Sequence, residues 1–460
     1  LTQTHLATGE TAPQGAGGPA DAEGVAGDSI WANRPFMLLW AAQAISQTAQ
    51  NVVWYGILVL VQTRWNSSTH MSLAVLTLML PSVFFGIVAG VYVDRWDKRV
   101  VLIASNALRV VVTVGYTFVD GYLLAIYAAN FAFATISQFF TPAEASTIPA
   151  IVPRRLLLQA NGLFNLTYTA SQLVGLVLLG PLVVNLFGTD AIFYVVGALF
   201  AICALLVSTL PSQPADQTHG PRSGREALDA LLADAREVAQ FVLADRVVLL
   251  ALGHWTLSSI LGIVLAVLAP GFVVNVLGID AADSVFILAP AGLGMVVGTA
   301  LLNRLGQWFD KHWVTNAGLV VFSACMLLLG LLGPSWAFVY HGLQALLGHR
   351  LPLLGFYGLI SVVMLVALVA GFAFVAIFVP AQTLMQERTP VALRGRLFAV
   401  AMVLSNVTSI APLLLAGAVA DLLGVARAFT LLGLTLFAVS AASIRVSQRP
   451  GAALFEPERP

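Results

Sequence analysis

The residues of this chain that could do chemistry are few, and they lie inside apolar stretches. Gln43, Gln47, Gln50 and Asn51, followed by Trp54 and Tyr55, occupy one such stretch. Steps of three and four put Gln43, Gln47, Gln50 and Trp54 on one stripe of a helix. Asn130 and Gln138 share a face of a second helix, and His254, Trp255, Ser258 and Ser259 mark a third. Tyr357 and Ser361 are weaker candidates of the same kind. Amides turned to hydrocarbon would lose their hydrogen bonds to water, so the stripe must face protein. Neutral amides beside Trp and Tyr suit an amphiphilic or aromatic molecule better than a highly charged one. The bland alternative is that these groups only bond one another between helices.

Titratable groups within the apolar runs are scarcer still: Arg109, Glu144 and His254. A Glu removed from water but near a cation can exchange a proton as either influence changes. An unperturbed His titrates near neutrality. These three are the candidates for proton coupling, with structural pairing and packing as the alternatives. No nucleophile–base pair or metal-ligand spacing stands out, so neither an enzyme nor a cofactor is expected. The only lysines are Lys98 and Lys311, and no Gly-x-x-x-x-Gly-Lys-Ser/Thr loop exists to hydrolyse ATP. Cys203 and Cys325 both sit in apolar runs and read as small core residues, not a disulfide or metal site.

The elements that must position these groups follow from composition. Hydrophobic residues make up 59% of the 460 and charged residues 10%, against roughly 25% charged in a soluble chain. Most uncharged runs exceed the ~20 residues needed to cross a bilayer. The net charge of zero gives no basic field for nucleic acid. The expectation is an all-α membrane protein of twelve spans: about Phe36–Gln62, Met71–Val93, Val100–Phe118, Tyr122–Ala145, Leu163–Phe187 and Ala191–Leu210, then Val247–Val274, Ser284–Leu305, Trp313–Leu332, Leu354–Val379, Leu397–Ala420 and Phe429–Ile444. Residues 1–33 and 447–460 read as polar tails and 34–210 and 247–446 as two six-helix bundles. Between the bundles, 211–246 forms a linker whose part Glu226–Leu243 is an amphipathic helix for the membrane surface. Gly333–Arg350 reads as an outer loop, with a short interfacial helix as the alternative. Gly180-Pro181 predicts a kink in span 5.

A charged turn organises the first bundle. Span 2 carries Gly86 and Gly90, whose bare face predicts close approach of a neighbouring backbone. It ends in Asp94, Arg95, Asp97, Lys98 and Arg99, which cannot enter hydrocarbon. With both termini inside, eighteen basic residues fall on the inner side, among them Arg154, Arg155, Arg394 and Arg396; Arg64, Arg350 and Arg427 fall outside. That split is what the positive-inside rule demands. The chain also repeats itself. Phe140-Thr-Pro-Ala returns as Phe378-Val-Pro-Ala, Pro153-Arg-Arg as Pro390 to Arg396, and Gly86 and Gly90 as Gly294 and Gly298. Two related halves argue for a pseudo-symmetric transporter with its binding site between them.

Gly90-Val-Tyr-Val-Asp94-Arg95-Trp-Asp-Lys-Arg99 resembles the loop 2–3 signature of the major facilitator superfamily, with Asp97 where the general pattern has Gly. Together with Phe140-Thr-Pro-Ala-Glu and Thr389-Pro-Val-Ala-Leu-Arg-Gly-Arg396, it is similar to the drug:proton antiporter branch that includes macrolide- and enterobactin-exporter-like proteins. Val183 and Val184 stand where that superfamily's antiporter signature has a glycine pair. The resemblance implies that spans 1, 4, 7 and 10 line a central cavity. Gln43, Gln47, Gln50, Asn51, Trp54, Asn130, Gln138, His254, Trp255, Ser258, Tyr357 and Ser361 would then face a small-molecule substrate.

It also implies a cytoplasmic gate of Gly90, Asp94, Arg95, Lys98, Arg99, Arg394 and Arg396, closed when Asp94 bonds the start of span 11. The physics agrees, because a helix N-terminus offers free N–H groups and partial positive charge to an acid. The function so implied is proton-driven export of hydrophobic or amphiphilic molecules by a monomer in a bacterial inner membrane. A carrier for one siderophore, lipid or metabolite, and a membrane sensor on the same scaffold, are the alternatives.

Overall fold

In the computed structural model, every regular element of the described residues is helical. These are 29–447 without 120, 214–223, 281–284, 306–309 and 348–351; several side chains, including those of Asp94 and Tyr357, also fall outside the description. The first half contains α1 (Arg34–Trp65), α2 (Ser68–Arg95), α3 (Lys98–Gly115), α4 (Leu123–Ile151), α5 (Leu157–Gln172), α6 (Gly180–Phe187) and α7 (Thr189–Ser208). After α8 (Gly224–Ala244) come α9 (Arg246–Phe272), α10 (Val285–Leu305), α11 (Lys311–Leu347), α12 (Pro352–Arg388), α13 (Val391–Leu423) and α14 (Val425–Ser447). Among the described residues eleven helical stretches are long and apolar enough to cross a membrane. A shorter apolar run, Ala289–Leu302 in α10, completes the expected twelve.

Helix starts follow local capping chemistry. Asn33 accepts from Phe36 N at 3.1 Å and Ser67 from His70 N at 3.2 Å. Asp97 accepts from Arg99 N at 2.9 Å and Asp245 from Val247 N at 2.8 Å. Each supplies an acceptor that the first turn lacks.

Each half closes on its own apolar core. In the first, Val52, Val53, Tyr55 and Ile57 of α1 meet Phe133 of α4 and Phe193, Val196 and Phe200 of α7. In the second, Leu261, Leu268 and Phe272 of α9 meet Phe322 of α11, Ile377 of α12 and Phe429 of α14. Val267 and Leu413 of the second half reach into the first core. Large apolar side chains such as Val111, Leu205 and Leu415 point outward, as a hydrocarbon solvent permits.

Two expectations, the loop from Gly333 and the close approach at Gly86 and Gly90, are corrected, and two others, the kink in span 5 and the linker helix, gain detail. The stretch read as a loop from Gly333 is helical to Leu347, because α11 runs for 37 residues, about 56 Å at the α-helical rise. Span 5 passes Gly180-Pro181 through a π-helical turn, Leu173–Leu179, with Gly180 N–H bonded to Gly175 O. A proline lacks the N–H for an α-helical bond, and the wider turn absorbs that loss. α8 does more than lie on a membrane surface: Val238 and Val242 are buried against Val247, Val248, Leu384 and Leu397 of the second half. Finally, Gly90 has open space beside it, and a Cβ on Gly86 would meet only the Gln138 side chain at 3.8 Å. The close approach occurs in the repeat instead, where a Cβ on Gly294 would lie 2.0 Å from Leu368 O and one on Gly371 1.9 Å from Ala291 O.

Candidate functional site

The α1 stripe divides among three environments. Gln43 is buried and donates to Phe164 O of α5 at 3.4 Å, leaving its Oε1 without a protein partner. Asn51 donates to Gln47 O at 2.8 Å, and its Cβ faces Gly175 of the π turn. Gln47 and Gln50 are partly buried, and Trp54 packs at the rim of the first core. Gln47 and Gln50 therefore keep their amide ends available. Asn130 does not: Nδ2 donates to Ala74 O at 3.0 Å and Oδ1 accepts from Tyr116 at 2.6 Å. Both ends are held inside the first half, which makes Asn130 a tie between helices. Gln138 turns toward Gly86 of α2.

In the second half His254 is buried. Its Nδ1 donates to Leu250 O at 2.8 Å, and its Nε2 lies 3.2 Å from Ser443 Oγ, which is 2.8 Å from Asn316 Oδ1. The carbonyl can only accept, so Nδ1 carries the proton in the neutral ring. The one Ser443 hydroxyl proton then serves either Nε2 or Asn316, and a second ring proton would complete the chain. Ser258 is buried and bonds His254 O at 2.9 Å. Trp255 stacks on Phe378 at 4.6 Å and meets Phe398 edge-on at 5.6 Å. Phe378 in turn stacks on Phe374 at 6.1 Å. Ser361 is exposed. The Tyr357 side chain lies outside the described residues.

Arg109 is the largest charged group in the interior, 1% exposed. It donates to Ser46 of α1 at 3.0 Å, and its guanidinium carbon sits 4.3 Å from the ring centre of Phe140, 5.4 Å from Phe200 and 5.9 Å from Phe133. Glu144, one turn beyond Phe140, is 7% exposed. Among the described residues, Arg109 Nε and Glu144 Oε1 have no hydrogen-bond partner, nor has Asn106 Oδ1 one turn from Arg109. Arg109, Glu144 and Cys203 are near enough to feel one another electrostatically. The sequence paired Arg109 with Glu144; Ser46, Asn106 and the aromatic cradle went unread, although Ser46 and Phe140 lie one helical turn from Gln43 and Glu144.

Among the described residues, the bonds of the gate segment run to α7, the linker, α8 and the turn before α13. Arg99 donates to Ser208 O, and Lys98 N donates to Gln213 O at 3.3 Å. Asp97 accepts from Ser212 Oγ and from Gln213 N at 3.2 Å. Burial alone would push the Asp97 carboxyl up. The donors Ser212, Gln213, Arg99 and Val100 outweigh it and hold the group below its ordinary value. Arg394 bonds Thr389 O at 3.0 Å. Arg396 pairs with Glu237 at 2.8 Å and Asp234 at 3.2 Å, both on α8. Arg95 is exposed beside a cleft of about 710 Å³ between α3 and α4, lined by Trp96, Val100, Leu108 and Phe139. The Asp94 side chain falls outside the described residues, and Gly395, like Gly90, has open space beside it.

A hydrogen-bonded seam between the halves lies at the other end of the molecule, where α1 turns into α2. Asn66, at φ 44°, takes Gln62 Nε2 at 2.6 Å and Asn275 Nδ2 at 3.3 Å on its Oδ1. Ser72 donates to Leu413 O at 2.9 Å, and Asn406 to Ser82 Oγ at 3.2 Å. Asp421 binds Ser67, Ser68 and Thr69 together. None of these residues stood out in the sequence, since the contacts across the seam join residues 209 to 354 positions apart.

Comparison with known proteins agrees with this architecture. The family model described as Major Facilitator Superfamily matches residues 39–412. An uncharacterized MFS-type transporter, YfiS of Bacillus subtilis (strain 168), is 25% identical over 88% of this chain and 91% of its own length. Macrolide efflux protein A of Streptococcus pyogenes is 22% identical over 69% of this chain and 78% of its own length. The crystal structure of the nucleoside transporter NupG superposes with a TM-score of 0.68 at 12% identity, covering 90% of this chain and all of that one.

Proposed function

The chain belongs to the Major Facilitator Superfamily, and from that premise we propose that this transporter exports hydrophobic or amphiphilic small molecules in exchange for protons. The two halves would rock about a pocket between them, with Gln47, Gln50 and Trp54 of α1 facing the Trp255–Phe378–Phe374 ladder of α9 and α12. Amides that keep free ends, beside an aromatic wall, favour an uncharged or weakly charged amphiphile. The relative named as a macrolide efflux protein is consistent with such a cargo. In this reading the chain crosses a bacterial inner membrane as a monomer, with its Asp97 end and both termini in the cytoplasm.

The observation that carries proton coupling is Glu144. An ionisable group within a membrane span costs roughly 2.5–3.5 kcal/mol on insertion scales and is a functional candidate by default. Glu144 has an oxygen that no group among the described residues bonds, while Arg109 is fixed by Ser46 and three rings. Glu144 would take and release the proton while Arg109 stays as the standing counter-charge.

The test is transport by the purified protein in liposomes under an imposed pH gradient, with macrolides, lipophilic cations and siderophores as cargo. Flux of a macrolide or lipophilic cation should rise with the gradient. Glu144→Gln should lower that gradient-driven flux by about tenfold or more, as expected when a proton relay is removed. Flux indifferent to the gradient would remove the coupling. Transport of a siderophore alone would replace drug-type export with a single-cargo carrier.

A further inference from the structure

α2 and α13 run antiparallel along the seam: Ser68 meets Asp421, Ser72 meets Leu413 and Ser82 meets Asn406. At the Asn66 end the contact is a helix cap supplied from across the seam. Asp421 Oδ2 accepts from Ser67 Oγ at 2.6 Å and Thr69 N at 3.0 Å, and Oδ1 accepts from Ser68 N at 2.7 Å. Ser67 itself serves the next free donor, His70 N, at 3.2 Å. Three N–H groups that the first turn of α2 leaves open are thus satisfied, two of them by a carboxylate of the other half. The charge also lies at the positive end of a 28-residue helix. Gly417, one turn before Asp421, lets the helices touch: a Cβ there would stand 2.3 Å from Ser72 Oγ and 2.6 Å from Ser68 O.

We propose that Asp421 is the latch of the Asn66 end, released and remade in each transport cycle, and that α2 and α13 cap each other alternately. In the state described here the acid at the end of α13 holds the start of α2, while at the far end a Cβ on Gly90 or Gly395 would meet none of the described residues within 4 Å. In the opposite state the acid at the end of α2, Asp94, holds the start of α13. Two rigid halves that rock about a shared pocket cannot close over it at both ends at once, so under alternating access each latch excludes the other. The proposal rests on the alternating-access reading above.

The experiment measures spin–spin distances in the full chain in lipid nanodiscs, with Cys203 and Cys325 replaced. One label pair, at Tyr122 and Asp280, reports the Asn66 end; another, at Leu158 and Val391, reports the Asp97 end. All four positions are exposed. Asp421→Asn keeps the side-chain size but turns an N–H group toward the Ser67 and Thr69 donors. It should lengthen the first distance and shorten the second, raising the ratio of the two states by about threefold or more, given the strength of charge-assisted caps. Asp94→Asn should shift the ratio the other way, and the double variant should return it toward the starting value.

If Asp421→Asn fails to fold, Ser67→Ala removes one bond of the same set and should give a smaller shift in the same direction. An unmoved distribution in Asp421→Asn or Ser67→Ala, with Asp94→Asn still effective, would overturn the latch and leave alternating access standing. A single unchanging distance at both ends in every variant would overturn alternating access itself.

Discussion

At the scale of single residues, Arg109 shows how a charge is kept inside an apolar bundle. Its guanidinium is held by one hydroxyl and covered by three rings, and a desolvated cation–π contact is worth about 2 kcal/mol. Removing one member of a buried charge pair costs roughly 3–5 kcal/mol, mostly because the other is stranded. Arg109→Met should therefore lower the thermal stability of the detergent-solubilised protein strongly. Adding Glu144→Gln should restore much of the loss. An additive loss would show that the two charges are not coupled. Asp97 makes a second case, with the sign fixed by its depressed value. Its hold on Ser212 and Gln213 is complete above the free carboxylate value near ~3.9 and is lost as pH falls through the lower folded value. Exchange protection of the Gln213 amide, corrected for intrinsic rate, should collapse only in that acid range. Retained protection there would assign the anchor to other bonds. Polarity could be read from the sequence at this scale, but direction could not. Gln43, Asn51 and Asn130 all announced themselves as amides that must face protein, and nothing local said that Asn130 would be tied at both ends.

Among the elements, the spans were legible because hydrocarbon imposes length and apolarity, whereas the caps that set four of the starts, Asn33, Ser67, Asp97 and Asp245, went unread. The glycine contacts were not. Gly86 and Gly90 have the same spacing as Gly294 and Gly298, yet only the second pair meets a neighbour's backbone. Spacing shows where a helix is bare and leaves open whether a partner arrives. The difference gives a paired prediction. Gly371→Ala would drive a methyl into Ala291 O and should cost on the order of 1–3 kcal/mol of stability by overpacking. Gly90→Ala meets open space and should be neutral or gain up to ~1 kcal/mol from helix propensity. If the Asp97 end closes during transport, the same Gly90→Ala change should slow turnover without lowering the melting temperature. Unchanged turnover would mean that Gly90 is never approached. The π turn also escaped the sequence, since Gly180-Pro181 predicts strain without saying whether the helix bends or widens.

For the whole molecule, the repeat and the sorting of basic residues were enough to expect two related bundles. The family model over residues 39–412 agrees with that expectation. What stayed hidden was the state of the machine. Long-range partners such as Asn66 and Asn275, or Ser67 and Asp421, are set by how two rigid halves lean together, and no local pattern encodes the angle. The connection between those halves carries a consequence of its own. Asp97 fastens Ser212 and Gln213 to the first bundle, and Val238 and Val242 fasten α8 to the second. Each half thus keeps its own stretch of the linker, as well as its own core. Covalent continuity between Gln213 and Gly224 is then not what keeps the bundles in register. Two polypeptides translated separately, divided within that interval, would find each other in the bilayer and reconstitute one working carrier.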